Sequence, residues 1–257
     1  MRRVSLALTV IVVVATSAVL LGLVLYSPIP VLLDCLGSAE IRFAILLSLA
    51  TSTISTAICV AIAVPVAHAL ARYEFPGKRA AALALTLPLT LPPLVAGIAL
   101  LLFFGTTPWG RALEDAGFEV IFTPLGIVVA QVFVNLPYMT RILRSAFTAI
   151  NPRYDYVART LGCTEGGSFL QVILPMARPG LLAGTAVTWS KAMGEFGAVL
   201  MLAGATAMRT ETLPIALYLN ISTGDLEMAV AAATILIAIS LATLCVVEYL
   251  DRGIHVF

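Results

Sequence analysis

Charge is what this sequence has least of. Of 257 residues, 15 are Lys or Arg and 14 are Asp or Glu, 11% in all, against about a quarter in ordinary soluble domains. A chain with a mean hydropathy of +1.03 cannot cover a water-facing surface, so it is read as an integral membrane protein. A net charge of +1 leaves no basic patch able to compete for phosphates, which excludes nucleic acid as a partner. The four cysteines, Cys35, Cys59, Cys163 and Cys245, are scattered singly; neither a disulfide framework nor a metal cluster follows, and no metal or cofactor is expected. No G-x-x-x-x-G-K-[ST] segment is present, so the chain does not hydrolyse ATP. No H-E-x-x-H or comparable pair supports an intramembrane enzyme. Acidic and histidine relays, which an ion-driven carrier would want inside its spans, are nearly missing: the spans hold Glu195, and Glu248 near one end.

What is abundant is apolar sequence in long runs. A helix needs about 20 apolar residues to cross a bilayer, and six runs qualify, at about 4–26, 43–70, 80–105, 124–144, 179–203 and 229–249. The first follows Arg2 and Arg3 as a signal peptide would, but the apolar part of a signal peptide is about 7 to 15 residues, so a retained helix is expected. Segments on the N-terminal side of the membrane carry Arg2, Arg3, Arg72, Lys78, Arg79, Arg141, Arg144, Arg153, Arg159, Arg178 and Arg252, eleven in all. Those on the other side carry three, Arg42, Arg111 and Arg209. The positive-inside rule therefore places both termini in the cytoplasm. Proline marks the weak points. Pro65 should bend the second run, Pro88, Pro92 and Pro93 should break the third, and Asn135 with Pro137 should interrupt the fourth. The interval 27–40 reads as a loop, and 204–228 as a polar segment between two spans.

The longest polar interval, Asn151 to Pro175, has its own helix punctuation. Asn151 suits an N-cap, Pro152 the first helical position, Asp155 the positive end of the helix dipole, and Gly162 the stop. Tyr154, Val157, Ala158 and Leu161 fall on one face, with Arg153 and Arg159 off it. By periodicity alone, a helix lying in the headgroups and a helix that docks on another protein fit equally well. Inside the fifth run, Lys191 and Glu195 stand four residues apart, on one face of a continuous helix. Either they bridge to fix packing, or Glu195 helps close a gate while Lys191 offers positive potential to an anion in transit.

The wording of these stretches carries a resemblance. Asp155, Val157, Ala158, Gly162, Val172, Leu174 and Pro175 are similar to the "EAA" loop of ABC-transporter permeases, with Asp for the usual Glu, Tyr156 intervening, and Val157 where a second small residue often stands. The segment Trp189 to Ala198, containing Gly194-Glu195-Phe196-Gly197-Ala198, resembles the "GEFGA" segment of molybdate, tungstate and sulfate permeases. Phe75-Pro76-Gly77-Lys78, Leu87-Pro88, Leu91-Pro92-Pro93, Gly97 and Phe104-Gly105 resemble the molybdate/tungstate branch. With Glu211-Thr212-Leu213-Pro214, the likeness covers most of residues 40–250.

The resemblance implies an all-α protein of six transmembrane helices, a type I ABC importer permease fold in one domain spanning 1–257. Its loop at 151–175 would be a cytoplasmic coupling helix that enters a cleft on a separate ATPase through Asp155, Val157, Ala158, Arg159, Leu161 and Gly162. Pro92, Pro93, Lys191, Gly194, Glu195, Phe196 and Gly197 would line the translocation path or its gate. The implied assembly is a homodimer in the cell membrane, with two ATPase subunits that hydrolyse ATP and an extracytoplasmic oxyanion-binding protein. Molybdate or tungstate is the implied cargo, and sulfate or thiosulfate the alternative.

Overall fold

Proline at first turns, threonine caps and small-residue stripes explain most of the helices. The computed structural model describes residues 1–252, apart from the side chains of Leu244 and of 246–252; the side chains of Glu248 and Arg252 thus lie outside the described residues. Helix α1 (Arg2–Tyr26) buries none of its residues. Apolar all round and uncovered by its own chain, it suits lipid or another subunit. The loop expected at 27–40 contains instead a helix, α2 (Ile29–Gly37), begun by Pro30 in its first turn, where a missing N–H costs nothing. Helix α3 (Ala39–Arg72) continues through Pro65 as one element. Its buried side is made of small residues, Ser48, Ser52, Ser55, Cys59, Ala63 and Ala67, which allow close helix approach.

Helix α4 (Lys78–Thr86), a 3₁₀ turn (Leu87–Thr90) and α5 (Pro93–Thr106) form the third apolar run. The two halves are bent by 114° at Leu91–Pro92, so the expected proline break is present. Helix α6 (Pro108–Asp115) starts at Thr107, whose Oγ1 accepts the Gly110 N–H at 3.2 Å. Helix α7 (Pro124–Ala149) starts on the same device at Thr123 and runs without interruption through Asn135 and Pro137. The interruption expected there does not occur, because packing holds the helix together around one missing backbone bond.

Helix α8 (Arg153–Thr160) precedes α9 (Glu165–Ser168), a π-helical segment (Phe169–Ile173) and α10 (Leu174–Met176). A 70° bend then leads into α11 (Arg178–Met193). The fifth run does not stay helical to 203. It stops at Met193 and resumes as α12 (Gly197–Ala203). The interval 204–228, expected as a polar segment between two spans, contains α13 (Leu213–Thr223), of which Leu213, Pro214, Ile215 and Ala216 are buried. Helix α14 (Leu226–Arg252) completes the order.

Among the described residues, four helices are long and apolar enough to cross a membrane, and up to six spans result if each bent pair counts as one. Helices α3, α7 and α11 pack on one another in the middle. One core cluster gathers Ala96, Leu100, Ile127, Val199, Leu202 and Ile215, from α5, α7, α12 and α13. A second gathers Cys59, Ala63, Met139, Leu143, Phe147 and Ile173, beside the π-helical segment. The two bent pairs and the short helix α8 are thus mounted on a shared scaffold.

Candidate functional site

Helix α8 begins one residue later than its sequence suggests. Pro152 occupies the cap, and Asn151 Oδ1 reaches past it to accept the Arg153 N–H at 3.0 Å. The other end follows expectation. Gly162 has φ +99°, a left-handed conformation that suits glycine. Its N–H bonds to the Arg159 carbonyl, while Cys163 N–H bonds to the Ala158 carbonyl, both at 3.1 Å. These two bonds form a Schellman stop.

The face expected to dock divides in two. Ala158 is 6% exposed, whereas Val157 is 56% and Leu161 81% exposed. Helix α8 packs on the π-helical segment, and a residue as small as alanine lets it lie close. Ala158 is therefore buried in its own chain and is not free for a partner. Tyr154 and Tyr156 join Val157 and Leu161 on the bare surface. Asp155 points towards the chain: its Oδ1 accepts the Ser168 hydroxyl at 2.6 Å, and its Oδ2 lies 3.9 Å from Arg159 Nη1.

Side chains that sequence reasoning missed tie this unit to the scaffold. Tyr73, just beyond α3, donates its hydroxyl to Glu165 Oε1 at 2.6 Å. That hydrogen bond, with some desolvation, raises the phenol above its ordinary value of 10.0. Arg72 Nη2 donates to the Ile150 carbonyl at 2.7 Å. The His68 ring sits 4.5 Å from Phe169 and 5.5 Å from both Tyr73 and Phe147, centroid to centroid. His68 is thus an aromatic packing residue. The only sequence signal was position, since these residues close the second apolar run. His68, Arg72, Tyr73 and Phe169 line a cavity of about 340 Å³ together with Asp155, Arg159 and Glu165.

The second region is where the two broken helices meet. Lys191 lies in the last turn of α11, Gly194 caps that helix, and Glu195 stands outside it. The four-residue helical spacing of Lys191 and Glu195 is lost at Gly194, and they form no ion pair. Lys191 Nζ rests instead 4.1 Å above the Tyr138 ring centroid on α7, a cation–π contact. Glu195, 8% exposed, accepts the Ala198 N–H at 3.1 Å and so caps α12. Phe196 packs on Tyr218, with ring centroids 5.4 Å apart.

Glycine makes the crossing with α5 possible. A Cβ on Gly197 would lie 2.9 Å from Pro93 Cβ and 3.1 Å from Leu94 N, and one on Gly97 would lie 2.7 Å from Met201 Cβ. Pro92 caps α5 at this point. The structure therefore brings Pro92, Pro93, Gly194, Glu195, Phe196 and Gly197 to one crossing, and turns Lys191 towards α7.

Residues 60–256 match the family of binding-protein-dependent transport system inner membrane components. The chain belongs to that family. A molybdenum transport system permease protein of Mycobacterium bovis is 40% identical over 198 residues, covering 77% of this chain and 75% of the relative. A sulfate transport system permease protein of Escherichia coli is 36% identical over 176 residues, covering 68% and 64%. In fold, the permease is similar to a chain of a bacterial ABC transporter that imports alginate, with a TM-score of 0.74, 15% identity and coverage of 91% and 88%. It is also similar to a chain of the inward-facing MetNI methionine ABC transporter, with a TM-score of 0.65, 16% identity and coverage of 83% and 95%. The permease is thus a multi-pass membrane protein with an ABC importer fold.

Proposed function

We propose that this permease passes molybdate or tungstate across the cell membrane as a homodimer, driven by two separate ATPase subunits and supplied by an extracytoplasmic binding protein. The observation that carries this reading is helix α8. Its inner side packs on the π-helical segment and is fastened through Asp155 to Ser168 of α9, whose Glu165 is tied in turn to Tyr73 at the end of α3, while Tyr154, Tyr156, Val157 and Leu161 stay bare. A helix fastened behind and apolar in front is built to receive a push. The excess of Lys and Arg in its surroundings supports a cytoplasmic position for it and for both termini, within a proposed single permease domain of 1–257.

ATP-driven movement at α8 would then travel through the Tyr73–Glu165 and Asp155–Ser168 bonds into the helices of the scaffold. At their far end, the α5–α12 crossing acts as the gate. It contains glycines and helix starts, which present backbone N–H groups to an anion without a dedicated tight site, and Lys191 adds positive potential nearby. The one carboxylate at the crossing, Glu195, is turned onto the Ala198 N–H. The molybdenum-transport relative at 40% identity favours molybdate or tungstate, and the sulfate-transport relative at 36% keeps sulfate as the second reading.

The deciding experiment reconstitutes the permease, its ATPase and its binding protein in lipid, and adds each oxyanion in turn. Molybdate or tungstate should stimulate ATP hydrolysis and enter the vesicles. Stimulation by sulfate alone would move the assignment to the second reading.

A further inference from the structure

The three central helices carry buried polar groups that the gate and the coupling helix do not use. Contacts set their register. Between α7 and α11, Gln131 Nε2 donates to the Ala192 carbonyl at 2.9 Å, and a Cβ on Gly184 would lie 2.9 Å from Met139 Sδ. These helices run antiparallel, and midway between the two contacts Asn135 falls opposite Thr188. Between α3 and α7, Gln131 Nε2 reaches Thr51 Oγ1 at 3.4 Å and Arg72 reaches the Ile150 carbonyl, so the two run parallel. Asn135 stands one turn along from Gln131, and Thr56 one turn along from Ser52, which neighbours Thr51 and donates to Met193 Sδ on α11 at 3.5 Å. A third pairing agrees, since Trp189 Nε1 donates to Thr53 Oγ1 at 3.1 Å, beside Thr188 and Thr56.

Thr56, Asn135 and Thr188 are 3%, 1% and 0% exposed. Neither hydroxyl meets a protein hydrogen-bond partner, nor does the oxygen or the nitrogen of the Asn135 amide. Thr51 and Thr140 bond to carbonyls of their own helices at 2.8 Å each. Thr56 and Thr188 do not take this common exit. One more acceptor lies at this level: Pro137 has no N–H to give to the Phe133 carbonyl one turn before it.

Buried polar groups are satisfied almost without exception, by protein or by ordered water. The two hydroxyls and the Asn135 amide carry no charge and each offer both donor and acceptor capacity, a mixture that a neutral donor and acceptor matches. Water gives and accepts, and a buried water typically joins about three such groups. We infer that Thr56, Asn135 and Thr188 form an internal water site at the level of Pro137, joining α3, α7 and α11. Bound water there satisfies the proline-freed backbone and supplies hydrogen bonds that can be exchanged as the three helices shift.

Two buried methionines flank the level, Met139 one turn along α7 and Met193 beyond Thr188 on α11, 0% and 1% exposed. Pulsed X-ray hydroxyl-radical labelling of the complete complex in liposomes reads water beside such side chains. Met139 and Met193 should oxidise at rates approaching that of Met208, which is 50% exposed. The isosteric pair Thr56→Val and Thr188→Val should cut that oxidation severalfold without changing Met208. Slow oxidation of both buried methionines in the unaltered protein overturns the site, as does oxidation unchanged in the double variant. If the double variant does not assemble, Thr188→Val alone gives the same comparison.

Discussion

The coupling end and the helix crossing solve opposite mechanical problems with opposite chemistry. Around α8 the contacts are long polar side chains, Tyr73 to Glu165 and Ser168 to Asp155, at 2.6 Å each. At the crossing the contacts are made by side chains that are missing, with Gly97 and Gly197 letting two helices touch nearly backbone to backbone. A lever needs ties that hold while the outside face is pushed. A gate needs surfaces that meet and part without side chains interlocking. The two regions should therefore fail differently when altered.

The largest effect is expected at the crossing. Gly197→Val places a branched side chain against Pro93 and Leu94 backbone, where nothing can rotate away. Overpacking typically costs about 1 to 3 kcal/mol, and under the proposed role of the crossing as the gate it would also hold that gate apart. Transport in vesicles should be nearly abolished and the melting temperature of the solubilised complex lowered. Normal uptake by Gly197→Val would show that the crossing is not the gate.

At the coupling end, one helix gives two outcomes according to the side altered. Ala158→Asp buries a carboxylate in the permease itself, so the isolated permease should lose stability by a few kcal/mol. Leu161→Asp alters a residue 81% exposed. The isolated permease should melt normally, while retention of the ATPase in a pull-down falls by about tenfold or more, as for an interface anchor worth about 2 kcal/mol. Equal melting of the two variants would erase the division of this helix into an inner and an outer side.

These cases also show what the sequence made legible. The membrane class, the helix at 153–160, its stop at Gly162 and the break at Pro92–Pro93 all follow from local rules, because composition, capping and proline act over a few residues. Glu195 did not follow. Its candidate partner in the sequence, one of two readings, was Lys191, four positions away, and the helix end at Gly194 separates them. Ala158 was misread for a related reason: periodicity gives a face but not what covers it. Helix α13, buried over Leu213–Ala216, was hidden by the polar residues on either side of Leu213–Thr223. Tyr73 and Glu165 are 92 positions apart, a separation at which no local pattern announces a pair.

A smaller effect belongs to Glu195. Its carboxylate accepts the Ala198 N–H and starts α12. Glu195→Gln keeps an acceptor and removes the charge, so stability should change by no more than about 1 kcal/mol. If the carboxylate discourages anions from resting at the crossing, uptake should rise or stay level. If Glu195 served instead as the partner of Lys191, uptake and stability would fall together, and the double change Lys191→Met with Glu195→Gln would restore both.

The smallest effect is expected from Tyr73→Phe, and its pH dependence makes it useful. Only the hydrogen bond to Glu165 is removed, and the tyrosine is largely exposed, so solvent screening limits the loss to about 0 to 1 kcal/mol. The sign of the pH effect follows from the raised phenol. Above the ordinary tyrosine value of 10.0, the unfolded chain loses this proton while the folded chain still holds it. The folded state then binds more protons, and its stability falls as pH rises. The contribution of Tyr73 is thus complete below pH 10 and is lost as pH climbs through the raised folded value. Melting curves of Tyr73→Phe and the unaltered permease should be separated by a constant small gap from pH 7 to 9 and should converge in more alkaline solution. ATP hydrolysis per oxyanion imported should rise slightly in the variant, since a looser tie transmits less of each push. A gap that persists unchanged above the tyrosine range would mean that the hydroxyl is not the group holding Glu165, and the lever would then rest on Asp155 and Ser168 alone.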